Sequence, residues 1–242
     1  MTKSILISFL LLLAIQVDAQ TDIISKENAN AVVHKINEQI LNAKFYSANL
    51  TFSIFNSYFD TIPVQTSYGF YKRSGDKLHS LLVGIETIQN NNERLEVDTA
   101  MENIIMGPPS HKPQLIESSL ESALAMCKKI TKTKTQIGYL LTFYLDPAAS
   151  LGFSTLQIEY DDQHFFITSL TMHYLNSTIP GFESIKNPKV KISYTNINTS
   201  RIANSEFEIE RYIIKDNKSI YKLNAPYKNF TFLNHLTINT NQ

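Results

Sequence analysis

The sequence has little glycine and cysteine, no tryptophan, and no excess of charge of either sign. The closest two of its seven glycines, Gly69 and Gly75, lie six residues apart. This spacing excludes the G-x-G-x-x-G and G-x-x-x-x-G-K loops that cradle phosphate groups. Lysine and arginine together number 22, as do aspartate and glutamate, so the basic surplus of a nucleic-acid-binding domain is missing. We therefore expect no nucleic-acid partner and no nucleotide chemistry.

The few cysteines and histidines argue against a metal or catalytic centre. Cys127 is the single cysteine, and it recurs with Leu120 and Leu124 at helical spacing, where a free thiol behaves as a small hydrophobic group. His164 and His173 are separated by an odd number on one predicted strand and so point to opposite faces. No H-E-x-x-H, cysteine pair or G-x-S-x-G sequence occurs. We expect no metal, no cofactor and no enzymatic activity.

One pair of carboxylates leaves an enzyme conceivable. Glu208 and Glu210 alternate with Phe207 and Ile209, which would place both carboxylates on one side of a strand, where an acid/base pair could operate. The simpler interpretation of the same alternation is a strand with one solvated side.

No apolar run is long enough to cross a membrane, but the first residues have the pattern of a secretory signal. Lys3 precedes the apolar run 5–15, and Val17-Asp18-Ala19 follows it. A bilayer core needs about 20 residues of helix, so this run is typical of a cleaved signal peptide rather than an anchor. We expect a signal peptide at 1–19, cleavage after Ala19, and one exported domain at 20–242.

Hydrophobic periodicity predicts a mainly β protein with two helices. Ala29, Val33, Ile36 and Ile40 form a helical stripe, which predicts a helix over 28–42, and a second stripe predicts one over 114–130. The predicted strands, about eleven in all, are 45–54, 64–72, 78–89, 95–98, 103–106, 137–146, 154–160, 164–175, 190–197, 207–214 and 220–223. This order predicts an antiparallel sheet with the helices segregated from it.

The chain also resembles a known family in specific runs of residues. These are Phe45 to Ile54, Tyr68-Gly69-Phe70-Tyr71-Lys72, Gly75-Asp76-Lys77, Gly84 to Ile88, Val97-Asp98, Lys191 to Asn198 and Phe207-Glu208-Ile209. Together they resemble the outer-membrane lipoprotein carrier (Lol) family over most of the mature chain. The resemblance implies an incomplete antiparallel β-barrel whose N-terminal and mid-chain helices pack as a lid over an apolar concave face.

The same resemblance implies a function. Carriers of this family hold lipoprotein acyl chains in the concave face while they cross the periplasm, and an arginine on an early strand inside the cavity tethers the lid. The first predicted strand here contains no arginine, and Arg73 and Arg94 fall in or next to predicted turns. No arginine is therefore assigned that role.

Two functions follow from the sequence and the resemblance. The first is a periplasmic, or else secreted, carrier that holds lipoprotein acyl chains or another lipid, with envelope membrane proteins as donor or acceptor. The second is a non-enzymatic envelope scaffold with a filled interior. The apolar side chains expected to line the cavity are those of Leu50, Phe52 and Ile54 on the first strand, with Phe70, Ile85 and Ile88 on later strands.

Overall fold

The structure, a computed structural model, describes residues 21–110, 117–146, 152–175, 184–216 and 220–236. The expected signal peptide at 1–19 and its cleavage site after Ala19 lie outside these ranges. Within them the chain forms fifteen strands, two α-helices and two short 3-10 helices, and thirteen of the strands join in one open sheet.

The sheet has the strand order β1-β8-β9-β10-β11-β12-β2-β3-β4-β5-β6-β7-β15, and β13 pairs with β14 in a separate hairpin. All neighbours are antiparallel except β7 and β15, which are parallel. The strands are β1 (Thr21–Ile23), β2 (Phe45–Phe55), β3 (Gln65–Ser74), β4 (Lys77–Leu82), β5 (Ile85–Gln89), β6 (Arg94–Asp98), β7 (Asn103–Gly107), β8 (Cys127–Lys134), β9 (Gly138–Leu145), β10 (Phe153–Asp161), β11 (Ile167–Tyr174), β12 (Lys189–Asn198), β13 (Ile213–Lys215), β14 (Tyr221–Leu223) and β15 (Thr231–Asn234).

Both helices pack on one side of the sheet, here called the helix face. Helix α1 (Lys26–Asn42) begins after Ser25, whose hydroxyl accepts a hydrogen bond from the Asn28 amide at 3.2 Å. This is the usual N-terminal cap, which satisfies one of the free amides of the first turn. Helix α2 spans Glu117–Met126. Apolar side chains of both helices form one hydrophobic core with the helix-face residues of β2, β3 and β8 to β12. Val33 and Leu124 belong to the helices, and Leu50, Phe143 and Ile158 to the strands.

A second core lies on the opposite side of the sheet, here called the rear face. It contains Ile88, Leu95, Val97, Ile104 and Met106 from β5, β6 and β7. The C-terminal segment, defined as residues 199–216 and 220–236, packs on these residues. It contributes apolar side chains of its own, namely Ile209, Tyr212, Ile213, Tyr221, Leu223, Tyr227, Phe230, Phe232 and Leu236. The sheet thus buries its helix face along β8 to β12, β2 and β3, and its rear face along β5 to β7.

The predicted fold class is confirmed: the protein is mainly β, with an open sheet like an incomplete barrel and two helices packed on one face. The number of strands differs from the eleven expected. One predicted strand, 78–89, is divided into β4 and β5 by a tight turn in which Val83 and Gly84 both have positive φ angles, 50° and 85°. The short β1, and β15 with its parallel pairing, were not predicted.

The structure corrects two predicted elements, the helix over 114–130 and the strand over 207–214. Helix α2 ends at Met126 rather than residue 130, and Cys127 begins β8. Of the predicted strand 207–214 only residues 213 and 214 lie in a strand, β13, since a 3-10 helix ends at Phe207 and a turn follows before β13. Phe207 and Ile209 are still buried, as their alternation suggested, but Glu208 and Glu210 are exposed on this turn and not on a strand face.

Candidate functional site

Three of the predicted cavity residues lie together on the helix face of β2. Leu50, Phe52 and Ile54 alternate along the strand, and β12 places Tyr194, Ile192 and Val190 directly opposite them. Because residues that pair across an antiparallel ladder point to the same side of the sheet, these six side chains form two adjacent rows. Met172 on β11 pairs with Val190 and extends the rows to a third strand.

Burial changes along these rows. Leu50 is 2% exposed and belongs to the helix-covered core. Phe52, Ile54, Met172, Val190 and Ile192 are only partly buried, and these five residues are named the apolar strip. The strip lies at the end of the sheet where β2 ends and β12 begins. Phe52, Met172 and Ile192 pack against the helix-covered core, so the strip continues the apolar surface of that core toward this end of the sheet.

The strand register separates the other three predicted residues. Phe70 pairs with Asn49, which lies on the opposite side of β2 from Leu50, so Phe70 is on the rear face. The Phe70 ring meets the His79 ring edge-on, with the two ring centroids 4.7 Å apart. Ile88 pairs with His79 on the same rear face and is fully buried in the second core. Ile85 returns to the helix face, but it lies beside the β4–β5 turn and is exposed.

A buried arginine connects the sheet to the C-terminal end of helix α1. Arg73 on β3 is 5% exposed, and its Nη2 donates to the carbonyl oxygens of Ile40, of Leu41 at 3.2 Å and of Ala43 at 2.8 Å. The last carbonyls of a helix have no partner within the helix, and a cation there also complements the helix dipole. Arg73 therefore fixes the end of α1 over the helix face.

The expectation that Arg73 falls in or next to a turn was wrong. Arg73 is in a regular strand rather than a turn, because β3 continues to Ser74. It lies two residues after Tyr71, whose alternation with Lys72 was visible in the sequence. Extending that alternation by one step would have placed Arg73 on the helix face with Tyr71.

A buried amide holds Ser110, which follows the end of β7 at Gly107. Gln89 of β5 lies on the helix face, and its Nε2 donates to the carbonyls of Asp76 at 2.7 Å and Ser110 at 3.0 Å. Its Oε1 accepts from the Ser110 amide at 2.9 Å. Both ends of one side-chain amide are thus used to hold Ser110, and the same amide also bonds Asp76.

Several charged groups on the rear face bind the C-terminal segment. His79 Nε2 lies 2.7 Å from Glu86 Oε1, and the same carboxylate accepts hydrogen bonds from Arg211 and the Tyr212 hydroxyl. Lys72 Nζ donates to Glu206 at 2.9 Å. These six residues are named the rear clamp.

The electrostatics of the rear clamp favour its ionised form. Burial by itself would raise the pKa of Glu86, but hydrogen bonds from His79 and Tyr212 and the charge of Arg211 outweigh it and hold the pKa below its ordinary value. The hydrogen bond from Lys72 likewise lowers the pKa of Glu206. The arrangement joins two parts of the chain, and among the described residues no group of histidine, cysteine, aspartate and glutamate is arranged to hold a metal ion.

Among the described residues, none of the helices is sufficiently long and apolar to cross a bilayer. No family model matches the sequence, and no curated protein matches it. Solved structures of similar fold do exist. An uncharacterized conserved protein from Thermus thermophilus is 8% identical, with a TM-score of 0.44, over 86% of this chain and 99% of that one.

Two further similar structures carry lipoprotein-related descriptions. A domain from Vibrio parahaemolyticus assigned to outer membrane lipoprotein sorting is 8% identical, with a TM-score of 0.33, over 77% of this chain and 98% of its own. A LolA superfamily protein from Nitrosomonas europaea is 7% identical, with a TM-score of 0.31, over 75% of this chain and 98% of its own.

Proposed function

We propose that this protein is an exported, non-enzymatic carrier or binding protein for a lipid or lipoprotein acyl chain, and that the apolar strip is its binding surface. The observation that carries this proposal is the strip itself: five apolar side chains on three adjacent strands, left partly exposed beside a dry core. A soluble sheet normally covers such a row with a helix or with polar residues. A partly exposed apolar row suits an apolar ligand.

The dimensions of the strip fit an acyl chain. Neighbouring strands lie about 4.8 Å apart and residues of one face repeat about every 6.6 Å along a strand, so three strands give an apolar surface about 10 Å wide. Each methylene group removed from water contributes about 0.8 kcal/mol before the costs of binding. A single acyl chain binds membranes only weakly on its own, so a carrier gains from enclosing more than one chain.

The interior under the helices is not available to a ligand. Leu141, Phe143 and Ile158 are completely buried beneath α1 and α2, with Leu50 at the boundary. This filled region favours the alternative function, a non-enzymatic envelope scaffold, for that part of the sheet. The two functions therefore differ in what they require of the strip: a carrier binds lipid there, whereas a scaffold does not.

A matched pair of phenylalanine variants tests the proposal. Phe52 and Phe70 lie on adjacent strands and are both partly buried, but Phe52 is on the helix face and Phe70 on the rear face. We expect Phe52→Ala to weaken binding of a fluorescent fatty-acid probe by about tenfold, because it removes ring surface from the strip. Phe70→Ala should retain wild-type affinity while lowering the melting temperature, because it removes the ring contact with His79.

Native mass spectrometry of protein purified from its own host gives an independent readout, with co-purifying lipid expected. The proposal fails if the wild-type protein binds no lipid probe, or if the two phenylalanine variants lose affinity equally. A clean unliganded mass together with absent probe binding would support the scaffold instead.

A further inference from the structure

Among the described residues, four of the six large apolar side chains that are more than 60% exposed lie on strand connections at one end of the sheet; the other two are Ile23 and Tyr68. Phe59 is 92% and Ile62 80% exposed on the β2–β3 connection, Val83 is 65% exposed at the β4–β5 turn, and Met101 is 69% exposed at the β6–β7 turn. These four residues are named the apolar rim. In a meander, β2, β4 and β6 run in the same direction, so all three connections lie at the same end of the sheet.

This end is also where the apolar strip emerges. Ile54 is next to the last residue of β2, and the β2–β3 connection that carries Phe59 and Ile62 begins immediately after that strand. The rim is therefore the part of the described structure that a ligand leaving the strip would pass.

The β2–β3 connection is held in place although its apolar side chains are exposed. Lys189 Nζ donates to the carbonyl oxygens of Tyr58 at 3.2 Å and Asp60 at 2.6 Å. The Tyr58 ring stacks on the His173 ring with centroids 4.7 Å apart, and the Val64 amide donates to the Ile54 carbonyl at 2.7 Å. An anchored loop thus holds Phe59 and Ile62 in solvent. Their exposed apolar surface does not stabilise the fold, so the fold alone does not explain it.

We propose that the apolar rim docks this protein on the surface of a lipid bilayer, with Phe59 and Ile62 inserted at the boundary between headgroups and acyl chains. The four side chains project from separate turns instead of forming a flat continuous patch. Separate projections can each enter a fluid interface, whereas a second protein surface would need complementary pockets and about 800 Å² on each side for a stable contact.

The charges at this end favour insertion over electrostatic attraction. Asp60 and Glu102 carry negative charge and Lys186 and Lys189 carry positive charge near the rim, and the Asp98 carboxylate accepts hydrogen bonds from the Ala100 and Met101 amides. With the two signs close to balance, an anionic surface gains little. The docking should therefore depend on apolar side chains and change little with salt. It rests on the rim and does not require the ligand proposed for the strip.

Vesicle flotation with the mature chain tests this inference. The wild-type protein should float with ligand-free phosphatidylcholine vesicles, and equally with vesicles that also contain phosphatidylglycerol. The double variant Phe59→Ser/Ile62→Ser should bind the vesicles at least about tenfold more weakly than the wild type, because two apolar side chains no longer enter the interface. The matched control, Leu41→Ser/Ile137→Ser, alters two exposed apolar residues near the opposite end of the sheet and should float like the wild type.

Several results would overturn the inference: a wild-type protein that does not float, flotation retained by the rim variant, or binding that needs phosphatidylglycerol and disappears in about 0.5 M salt. A dimer in size-exclusion chromatography that the rim variant abolishes, without vesicle binding, would assign the rim to a second copy. Fatty-acid probe affinity separates the two proposals, since the rim variant should keep it and Phe52→Ala should keep vesicle binding.

Discussion

Arg73 and Arg94 show how the burial of an arginine decides how much it contributes to the stability of the fold. Arg73 is buried and bonded to three helix carbonyls. Arg94 is partly exposed, and its Nη2 pairs with Glu96 at 2.5 Å on the same strand. A buried donor group with several acceptors contributes more than a solvated ion pair, because removing it leaves those acceptors unsatisfied away from water.

Arg73→Met should accordingly lower the free energy of unfolding by about 2 to 4 kcal/mol, whereas Arg94→Met should change it by about 1 kcal/mol or less. Chemical denaturation of the two variants measures the difference. Hydrogen exchange should also show faster exchange in the last turn of α1 for Arg73→Met alone. Equal destabilisation by both variants would mean that Arg73 does not hold the helix.

Glu86 makes the rear clamp sensitive to acid. Its pKa is held below the ordinary value in the folded protein, so folding favours the carboxylate form. The resulting stabilisation is complete above the pKa of the unfolded chain, about 4.3, and is lost as the pH falls through the lower folded value. Lys72 lowers the pKa of Glu206 in the same direction, so part of the acid sensitivity belongs to that pair.

Glu86→Gln should reduce stability by about 1 to 3 kcal/mol near pH 7, because the carboxylate that Arg211 and Tyr212 share is lost. The difference from the wild type should shrink as the pH falls below the pKa of the unfolded chain and through the lower folded value, because the wild-type carboxylate then also takes up a proton. Thermal unfolding across this pH range measures it. A difference that stays constant with pH would show that ionisation of Glu86 does not stabilise the clamp.

At the scale of elements, β3 passes unusually close to β4 where the two strands begin to pair. A β-carbon on Gly69 would lie 2.1 Å from the backbone oxygen of Leu81. From this point toward Gln65, β3 no longer pairs with β4. The close approach therefore depends on the absence of a side chain at residue 69.

Gly69→Ala should destabilise the protein by about 1 to 3 kcal/mol, because one strand must shift to relieve the contact. Gly107→Ala is the matched control, since a β-carbon there meets nothing within 4 Å and should be neutral or slightly stabilising. Denaturant midpoints of the two variants provide the comparison. A neutral Gly69→Ala would show that the strands have room to separate.

Elements with a strong local period were predictable, and those defined by long-range contacts were not. The alternation of β2 and the stripe of α1 identified both elements and the buried face of each. The extra strands β1 and β15 are three and four residues long and exist because they pair with β8 and β7, which no local pattern reveals. The lysine-rich run of β8 has helical spacing at Cys127 and Ile130, so it was assigned to the preceding helix.

The face on which the predicted site residues lie was predictable within one strand and not across strands. Leu50, Phe52 and Ile54 follow one another on a regular strand, so their common face was readable from the sequence. Phe70 and Ile88 required the register between strands, and a shift of one residue reverses the face. The strip partners Ile192, Val190 and Met172 come from β12 and β11, far along the chain, and only the fold brings them beside β2.

At the scale of the whole molecule, the sheet has two cores on opposite faces, joined through β3 and β4. Tyr71 on β3 is buried on the helix face, and His79 on the adjacent β4 is buried on the rear face. The C-terminal segment covers the rear core and is held by the rear clamp. We propose that residues 20–242 form a single cooperative domain, because neither core closes without a sheet that both share.

Calorimetry and near-ultraviolet circular dichroism should therefore report one coincident unfolding transition. Deleting the C-terminal segment should leave Leu95, Val97 and Ile104 uncovered and should produce aggregated protein. Two separate transitions, or a soluble and folded product that ends at Asn198, would show that the segment is an independent unit.

Photolabelling locates a bound fatty acid and so tests directly whether the apolar strip binds an acyl chain. A fatty acid with a diazirine near its methyl end is bound to the mature protein, crosslinked, and located by peptide mass spectrometry. We expect saturable labelling in the peptides that contain Phe52, Ile54, Met172 and Ile192, and we expect Phe52→Ala to diminish it. Labelling confined to the rear face around Phe70 and the C-terminal segment, or no saturable labelling at all, would contradict it.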